Sequence, residues 1–225
     1  MFAYVVACYF GPRRVHCAPY VENPYYYVQK HFEFLKSHKI PNLDLVLLML
    51  NSTLDSDLNK VKEMFSTVDY KVEIYCRPNI DGSYGAWHDG VINLINAHPE
   101  IKYALLIEDD YIPCDENVLD DFHQAMDDNT FYVCQFYTNH AAMSNGMIDL
   151  TKAKDIYSRA GRVFMLNGGS DYRFLDSNQG TFLNLVRFKY KVIGLNDKFL
   201  HPFSTREGSV IVYGNGDRPV LTPIL

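Results

Sequence analysis

Two hydrophobic patterns alternate along the first half of the chain. Short apolar runs predict strands at Phe2–Cys8, Leu45–Leu50, Tyr70–Tyr75 and Tyr103–Ile107. Between these runs, apolar residues recur at helical spacing and predict helices that begin at Asn23-Pro24, at Leu54 and at Tyr84. We expect Asn23 to cap the first helix and Pro24 to take its first position. The order β-α-β-α-β-α-β is typical of a parallel sheet with crossover helices.

In such a sheet, ligands bind beyond the carboxyl ends of the strands, near the point where the strand order reverses. The residues that directly follow Cys8, Leu50, Tyr75 and Ile107 are therefore the expected location of any chemistry.

The second half of the chain is less regular. Its patterns predict helices at Asn117–Met126 and Asn178–Val186, and strands at Phe131–Phe136, Tyr190–Leu195 and Ser209–Tyr213. A chain of 225 residues has the length of one large domain. We expect one domain over 1–225 with two halves, 1–115 and 116–225. The apolar C-terminus is compatible with further domains of a longer polypeptide.

Charge and cysteine content narrow the function classes. The 21 Lys and Arg against 27 Asp and Glu give a net charge of −6, which argues against a nucleic-acid-binding protein. The five cysteines form no CxxC pair and indicate free thiols in a reducing compartment, so we expect a cytoplasmic protein. The longest apolar run, over 1–10, is too short to span a bilayer.

Three adjacent carboxylates, Glu108, Asp109 and Asp110, directly follow the fourth predicted strand. They repel one another, and this is costly unless a cation or hydrogen-bond donors are present. Positions 108 and 110 alternate to the same side of a strand end. Ligands that are all oxygen favour Mg²⁺ or Mn²⁺. The alternative is a solvated acidic loop before the helix near Asn117.

The stretch around this triplet resembles a known family. Tyr103 to Pro113, YALLIEDDYIP, is similar to the strand and DXD-type motif of GT-A glycosyltransferases. The segment 77–86, RPNIDGSYGA, resembles the loop and helix that precede that motif, and 9–14, YFGPRR, resembles the loop at which the nucleotide enters. The resemblance covers 2–125 well and the rest loosely, and extends to such domains of large algal DNA viruses. It implies a GT-A, Rossmann-like α/β fold with a mostly parallel sheet and a smaller mixed C-terminal half.

The resemblance also implies roles for the acidic residues. In the family, the acidic motif holds a divalent metal, Mn²⁺ or Mg²⁺, that bridges the diphosphate of the donor. Asp110 is the first candidate for direct ligation, with Glu108 as a further metal ligand. Glu108 and Asp109 are expected to contact the ribose, the sugar or metal-bound water. His201 matches the late histidine that often completes the site; the alternative is a core histidine between apolar neighbours.

The general base is expected near the start of a late helix. Here the sequence departs from the family, because the positions expected to read Glu-Asp hold Asn178-Gln179. The nearest carboxylates are Asp176, which we prefer, and Asp171. An aspartate at 176 is equally typical of an ordinary helix cap, and the departure leaves the inverting mechanism open.

The expected nucleotide site combines two loops. After the first strand, Tyr9 is a candidate for stacking on the base, Gly11 belongs to the loop, and Arg13 or Arg14 is a candidate phosphate ligand. After the third strand, Arg77 and Asp81 are expected to bind the base or ribose. Solvated turns are the alternative in both places. Two glycines that follow, Gly82 and Gly85, permit close backbone approach.

Motif searches exclude several enzyme classes. The glycine fingerprint of dinucleotide-binding oxidoreductases, the P-loop and the GxSxG motif are absent. Together with the acidic triplet, the resemblance implies a metal-dependent glycosyltransferase (EC 2.4) that moves a sugar from a nucleoside-diphosphate sugar, a UDP-sugar, to a glycan acceptor, with 1–115 binding the donor and 116–225 the acceptor. Its location would be the cytoplasm, or the host cytoplasm for a viral protein. The alternatives are a metal-dependent phosphohydrolase and a non-catalytic nucleotide-sugar- or glycan-binding module.

Overall fold

The structure is a computed structural model that describes residues 1–11, 23–80, 82–113, 117–134, 146–154, 190–194, 203–206, 209–212 and 220–223. Four helices have their bounds there: α1 Tyr26–Ser37, α2 Asp55–Phe65, α3 Gly82–Ala97 and α4 Asn117–Gln124. The strands are β1 Phe2–Cys8, β2 Leu43–Leu50, β3 Lys71–Cys76, β4 Tyr103–Glu108, β5 Ile112–Pro113, β6 Thr130–Cys134, β7 Gly146–Asp149, β8 Lys191–Gly194, β9 Phe203–Arg206, β10 Ser209–Val212 and β11 Val220–Pro223.

The central sheet has seven strands in the order β3-β2-β1-β4-β7-β6-β8. Its first four strands are parallel to one another, whereas β7 runs antiparallel to both of its neighbours. β8 is again parallel to β6. Strand order reverses at β1, because β2 lies on one side of it and β4 on the other. The carboxyl ends of β1, β2, β3 and β4 therefore meet at one edge, beside the switch point where ligands bind in such sheets.

Helices cover both faces of the parallel part of the sheet. The alternate residues Ala3, Val5 and Ala7 of β1 face a core that includes Trp87 of α3. The intervening residues of β1 face a second core, which contains side chains of α1, α2 and α4. Every residue of β1 is buried, as the continuous apolar run Phe2–Cys8 requires.

A smaller antiparallel sheet has the strand order β11-β10-β9-β5. Its strand β5 follows the acidic segment 108–110 after a single intervening residue and pairs with β9. This second sheet belongs to the less regular half of the chain. Together the two sheets confirm the predicted α/β, Rossmann-like fold, with a mostly parallel central sheet and a mixed C-terminal half.

Some predicted elements differ from the structure. The first helix begins at Tyr26, not at Pro24, because Asn23 forms a turn in which its side-chain oxygen accepts the Tyr25 N–H over 3.0 Å. The sequence patterns missed β5, β7, β9 and β11, which have two to four residues and are too short to show a period. The predicted helix at 178–186 lies outside the described residues. None of the helices within the described ranges is both long and apolar enough to cross a membrane.

Candidate functional site

A cavity of about 270 Å³ opens at the carboxyl ends of β1, β2 and β4 and the start of α3. Its described lining residues come from the four segments that the sequence pointed to: Ala7, Tyr9, Asn51, Asn79, Gly82, Ser83, Glu108, Asp109 and Asp110. All three adjacent carboxylates lie at its wall, whereas none of these lining residues is a lysine or arginine. The cavity is therefore strongly acidic and lined by oxygen-bearing side chains.

Asp109 is fixed from several directions. Its backbone N–H donates to the Ala7 carbonyl over 3.1 Å and so extends the pairing of β4 with β1. Its carboxylate accepts the Tyr9 N–H over 2.9 Å. The residue is buried. Asp109 thus joins the ends of β1 and β4, and this contact places Tyr9 at the cavity wall.

Glu108 is linked to the start of α3. The Ser83 hydroxyl donates to Glu108 Oε1 over 2.7 Å. Gly82, directly before Ser83, has a φ of +55°, in the left-handed region that favours glycine. Glu108 and Asp110 line the same cavity, as expected for two residues on one side of a strand end. Asp109 lines the cavity too, although it lies between them in the sequence.

His31, on α1, is hydrogen-bonded to the backbone of the acidic segment. Its Nε2 lies 2.9 Å from the carbonyl oxygen of Asp109, and its Nδ1 lies 2.7 Å from the Tyr4 hydroxyl. A carbonyl only accepts, so Nε2 carries the proton and Nδ1 accepts from Tyr4. Burial lowers the pKa of His31 to about 4, which keeps the ring neutral near pH 7. The sequence patterns did not single out this residue, although a histidine on the apolar face of a helix and a tyrosine inside a buried strand are its visible signals.

Arg77 lies under the rim of the cavity rather than in its wall. It is buried, and its guanidinium donates to Asp89 Oδ2 over 2.9 Å and to the Ile80 carbonyl over 2.8 Å. It also donates to the Asn51 side-chain oxygen. Since these bonds hold the loop after β3, the geometry favours a positioning function for Arg77. Its predicted contact with base or ribose stays a prediction.

The bond from Arg77 also orients Asn51. Because a guanidinium only donates, the amide atom facing Arg77 is the oxygen, and the amide nitrogen then donates to the Gly82 carbonyl over 3.3 Å. Gly85 makes this arrangement possible, since a Cβ there would collide with the Ile80 carbonyl and the Arg77 guanidinium. The close approach expected at Gly85 is therefore that of the protein's own backbone and Arg77.

A second buried carboxylate, Asp57, ties α2 to the same edge of the sheet. Its oxygens accept the Tyr25 hydroxyl over 2.6 Å and the Ser52 hydroxyl over 2.5 Å. The bond to Asp57 raises the pKa of Tyr25 to about 12. Tyr25 packs in turn on Phe10, with ring centroids 5.1 Å apart. This cluster supports the loops after β1 and β2 from outside the cavity.

The remaining predicted site residues divide into two groups. Gly11 is described, and a Cβ there would collide with the ring of Tyr9, so the tyrosine folds back over the glycine. Arg13, Asp81, Asp171, Asp176 and His201 lie outside the described residues. The predicted base and the predicted late metal ligand therefore stay predictions.

The donor set fits a hard divalent cation such as Mg²⁺ or Mn²⁺, because Glu108, Asp109 and Asp110 offer only oxygen. No group of three or more His, Cys, Asp or Glu side chains within the described part of the chain is arranged to hold a metal on its own. Protein sites for Mg²⁺ commonly use one or two carboxylates together with substrate phosphates and water. The cavity fits that type of site, and Glu108 and Asp110 are the residues that would hold the ion.

No protein-family model and no curated protein matches the chain. Solved structures do match. A cytidylyltransferase from Leptospira borgpetersenii serovar Hardjo-bovis (strain JB197) aligns at 13% identity and a TM-score of 0.53, covering 86% of this chain and 74% of that one. The 4-diphosphocytidyl-2C-methyl-D-erythritol synthase of Anaerococcus prevotii DSM 20548 aligns at 14% identity and a TM-score of 0.56, with coverages of 86% and 85%.

A third similar structure is CMP:2-keto-3-deoxy-manno-octonic acid synthetase in complex with CTP. It aligns at 9% identity and a TM-score of 0.52, covering 86% of this chain and 88% of that one. The chain has a Rossmann-like α/β fold. Identities this low show the fold alone and do not show what the chain does.

Proposed function

We propose that the protein is a metal-dependent glycosyltransferase that moves a sugar from a nucleoside-diphosphate sugar, a UDP-sugar, to a hydroxyl of a glycan acceptor. The observation that supports the proposal most directly is the acidic segment 108–110 at the wall of the cavity. It lies at the carboxyl ends of parallel strands, beside the reversal of strand order, where this type of fold binds ligands.

The negative charge of this cavity favours a diphosphate that binds together with a metal ion. Three carboxylates repel a diphosphate, and the described wall offers no basic side chain to attract one. Asp110 and Glu108 would hold a divalent ion, which would offset that repulsion and supply positive charge to stabilise the departing diphosphate. Tyr9 lies beside the acidic residues, where its ring can contact the nucleotide.

In the reaction we propose, an acceptor hydroxyl attacks the anomeric carbon as the bond from that carbon to the diphosphate breaks. The nucleoside diphosphate leaves, and a carboxylate takes the proton of the hydroxyl. Asp176, or else Asp171, is our candidate for this base, acting in an inverting transfer. Within the described residues, Asp109 holds the loop after β1 through the Tyr9 N–H, and Ser83 holds Glu108.

Nucleotidyl transfer is the second candidate, because the three structures compared above are cytidylyltransferases or a CMP-sugar synthetase. Such an enzyme would transfer the nucleotidyl group of a nucleoside triphosphate to a second substrate and release pyrophosphate. A triphosphate also binds together with a divalent ion, so the charge of the cavity does not separate the two functions. We rank nucleotidyl transfer second, because the acidic segment 108–110 and the strand before it resemble the DXD-type motif of GT-A glycosyltransferases.

An assay of products separates these functions. The purified protein is incubated with Mn²⁺ and a panel of nucleotide sugars, and in parallel with nucleoside triphosphates plus sugar phosphates and with simple phosphoesters. We expect free nucleoside diphosphate, formed from a nucleotide sugar only when Mn²⁺ or Mg²⁺ is present. Pyrophosphate release would replace the proposal by nucleotidyl transfer, and phosphate release by a phosphohydrolase. Binding without turnover would indicate a non-catalytic module.

A further inference from the structure

The backbone of the acidic segment is held by a chain of hydrogen bonds that begins in the core. The Tyr4 hydroxyl, in the middle of β1, donates to Nδ1 of His31 over 2.7 Å. Nε2 of His31 donates to the carbonyl of Asp109 over 2.9 Å. Tyr4 and His31 are both fully buried. These bonds connect α1 and β1 to the peptide group that joins Asp109 to Asp110.

This peptide group controls the direction of the neighbouring side chains. The Asp109 amide is held by Ala7, and the Asp109 carboxylate holds the Tyr9 N–H. With its carbonyl held by His31, Asp109 has few remaining ways to rotate. The chain turns at 109–110, so a rotation of this peptide would swing Asp110 relative to Glu108.

We propose that His31 is a positioning residue that, oriented by Tyr4, fixes the Asp109–Asp110 peptide group and so the direction in which Glu108 and Asp110 face the cavity. The inference rests on the proposed function, in which these two carboxylates hold a divalent cation. Partners of this outer kind orient the ligands, and their loss typically weakens metal binding about 10- to 100-fold.

A role in folding alone is the competing explanation, since a buried histidine with both nitrogens bonded also stabilises the core. The two explanations predict different effects when a single hydroxyl group is removed. Tyr4→Phe removes one hydroxyl and leaves the ring in place. The substitution removes the hydrogen bond that orients the His31 ring, and it changes no residue that lines the cavity. If His31 only stabilises the fold, cation binding by the folded protein will not change.

The chain offers a matched control at the opposite edge of the sheet. The Tyr70 hydroxyl accepts the Ile40 N–H over 2.7 Å and donates to the His38 carbonyl over 2.9 Å. Tyr70→Phe therefore also removes a hydrogen-bonded tyrosine hydroxyl, here one with two backbone partners, but far along the strands from the acidic segment. It measures the effect of losing such a hydroxyl on stability alone.

The experiment measures binding of Mn²⁺ alone, and of Mn²⁺ with UDP, by calorimetry at a temperature well below the unfolding transition. We expect Tyr4→Phe to weaken Mn²⁺ binding about 5-fold, the effect of one net hydrogen bond. We expect His31→Leu to weaken it about 10- to 100-fold. His31→Gln should bind more tightly than His31→Leu, because the amide nitrogen of glutamine can donate to the Asp109 carbonyl. Tyr70→Phe should bind as the wild type does.

Two results would overturn the inference, and they are distinguishable. If the wild-type protein binds Mn²⁺ and UDP, but Tyr4→Phe and folded His31→Leu bind both with wild-type affinity, the positioning role is wrong and the proposed function stands. If the wild-type protein binds neither Mn²⁺ nor Mn²⁺ with UDP, the proposed function fails and the positioning role fails with it. If His31→Leu does not fold, the Mn²⁺ affinities of Tyr4→Phe and Tyr70→Phe are compared, and this comparison decides between a positioning role and a role in folding alone.

Discussion

The three carboxylates at the end of β4 differ in what they contact. Asp109 is buried and accepts the backbone N–H of Tyr9, so it is part of the scaffold of the cavity. Glu108 accepts the Ser83 hydroxyl with one oxygen and lines the cavity. Asp110 follows the peptide held by His31 and lines the same cavity. A test of cation binding at the level of one residue therefore belongs at Asp110.

Asp110→Ala is expected to abolish binding of Mn²⁺ with UDP, a loss larger than the about 100-fold that removal of an outer partner causes. Calorimetry measures this affinity. In the absence of metal the free energy of unfolding should stay constant or increase, because one of three mutually repelling charges is gone. Asp128→Ala is the control, since that side chain is 98% exposed and remote from the cavity. Unchanged Mn²⁺ and UDP affinity in Asp110→Ala would refute the assignment.

At the scale of elements, the loop between β3 and α3 owes its shape to the contacts beneath it. Arg77 bonds to Asp89 on α3, to the loop carbonyl of Ile80 and to Asn51 after β2. The first turn of α3 can lie this close only because Gly85 has no side chain. A sequence pattern shows that a glycine is present, but not which atoms approach it.

Gly85→Ala should destabilise the protein although alanine favours helices by about 1 kcal/mol over glycine. The new Cβ would collide with a backbone carbonyl and the guanidinium of Arg77, so the loop must move. We expect a net loss of about 2 kcal/mol in a urea denaturation experiment, within the range of overpacking.

Gly90→Ala, on the same helix, is the matched control. A Cβ there would meet the side chains of Val5 and Met49 at 3.1 and 3.4 Å, at longer distances than at Gly85 and with no backbone atom among its nearest neighbours, so we expect a smaller cost than at Gly85. Equal stability of Gly85→Ala and the wild type would show that the loop does not depend on this contact.

At the scale of the whole molecule, the site forms because a parallel sheet gathers loops that are distant in sequence. Tyr9 and Asp109 are a hundred residues apart and share a hydrogen bond, and His31 reaches the same segment from α1. This arrangement buries a neutral histidine inside the fold. Because burial lowers the pKa of His31, the free energy of unfolding should depend on pH.

The sign of this dependence follows from the pKa of His31, which burial lowers from 6.5 to about 4. Between these values the unfolded chain binds a proton on His31 and the folded chain does not, so stability is lost as pH falls through this window. By pH 4.5 the loss from this one group is about 2 kcal/mol. Glu73 and Asp89, whose pKa values are lowered in the folded chain, add losses in the same direction at lower pH.

We therefore expect the free energy of unfolding of the wild type to fall by about 2 kcal/mol more than that of His31→Gln between pH 7 and pH 4.5. Urea denaturation of both proteins at each pH measures the difference. Glutamine does not titrate, so it removes this contribution while keeping a donor for the Asp109 carbonyl. An equal fall in both proteins would contradict the neutral, buried state of His31.

The amino-acid sequence alone predicts the alternation of strands and helices in the first half, because continuous apolar runs and helical spacing are local patterns. It also predicts the position of the acidic segment at the end of β4 and of the glycine-containing loop after β3. The packing of the elements is needed to show that Arg77 bonds beneath the cavity rim and that Tyr4 and His31 support Asp109. These bonds join residues on different elements, and such partners depend on how the elements pack, which no local pattern records.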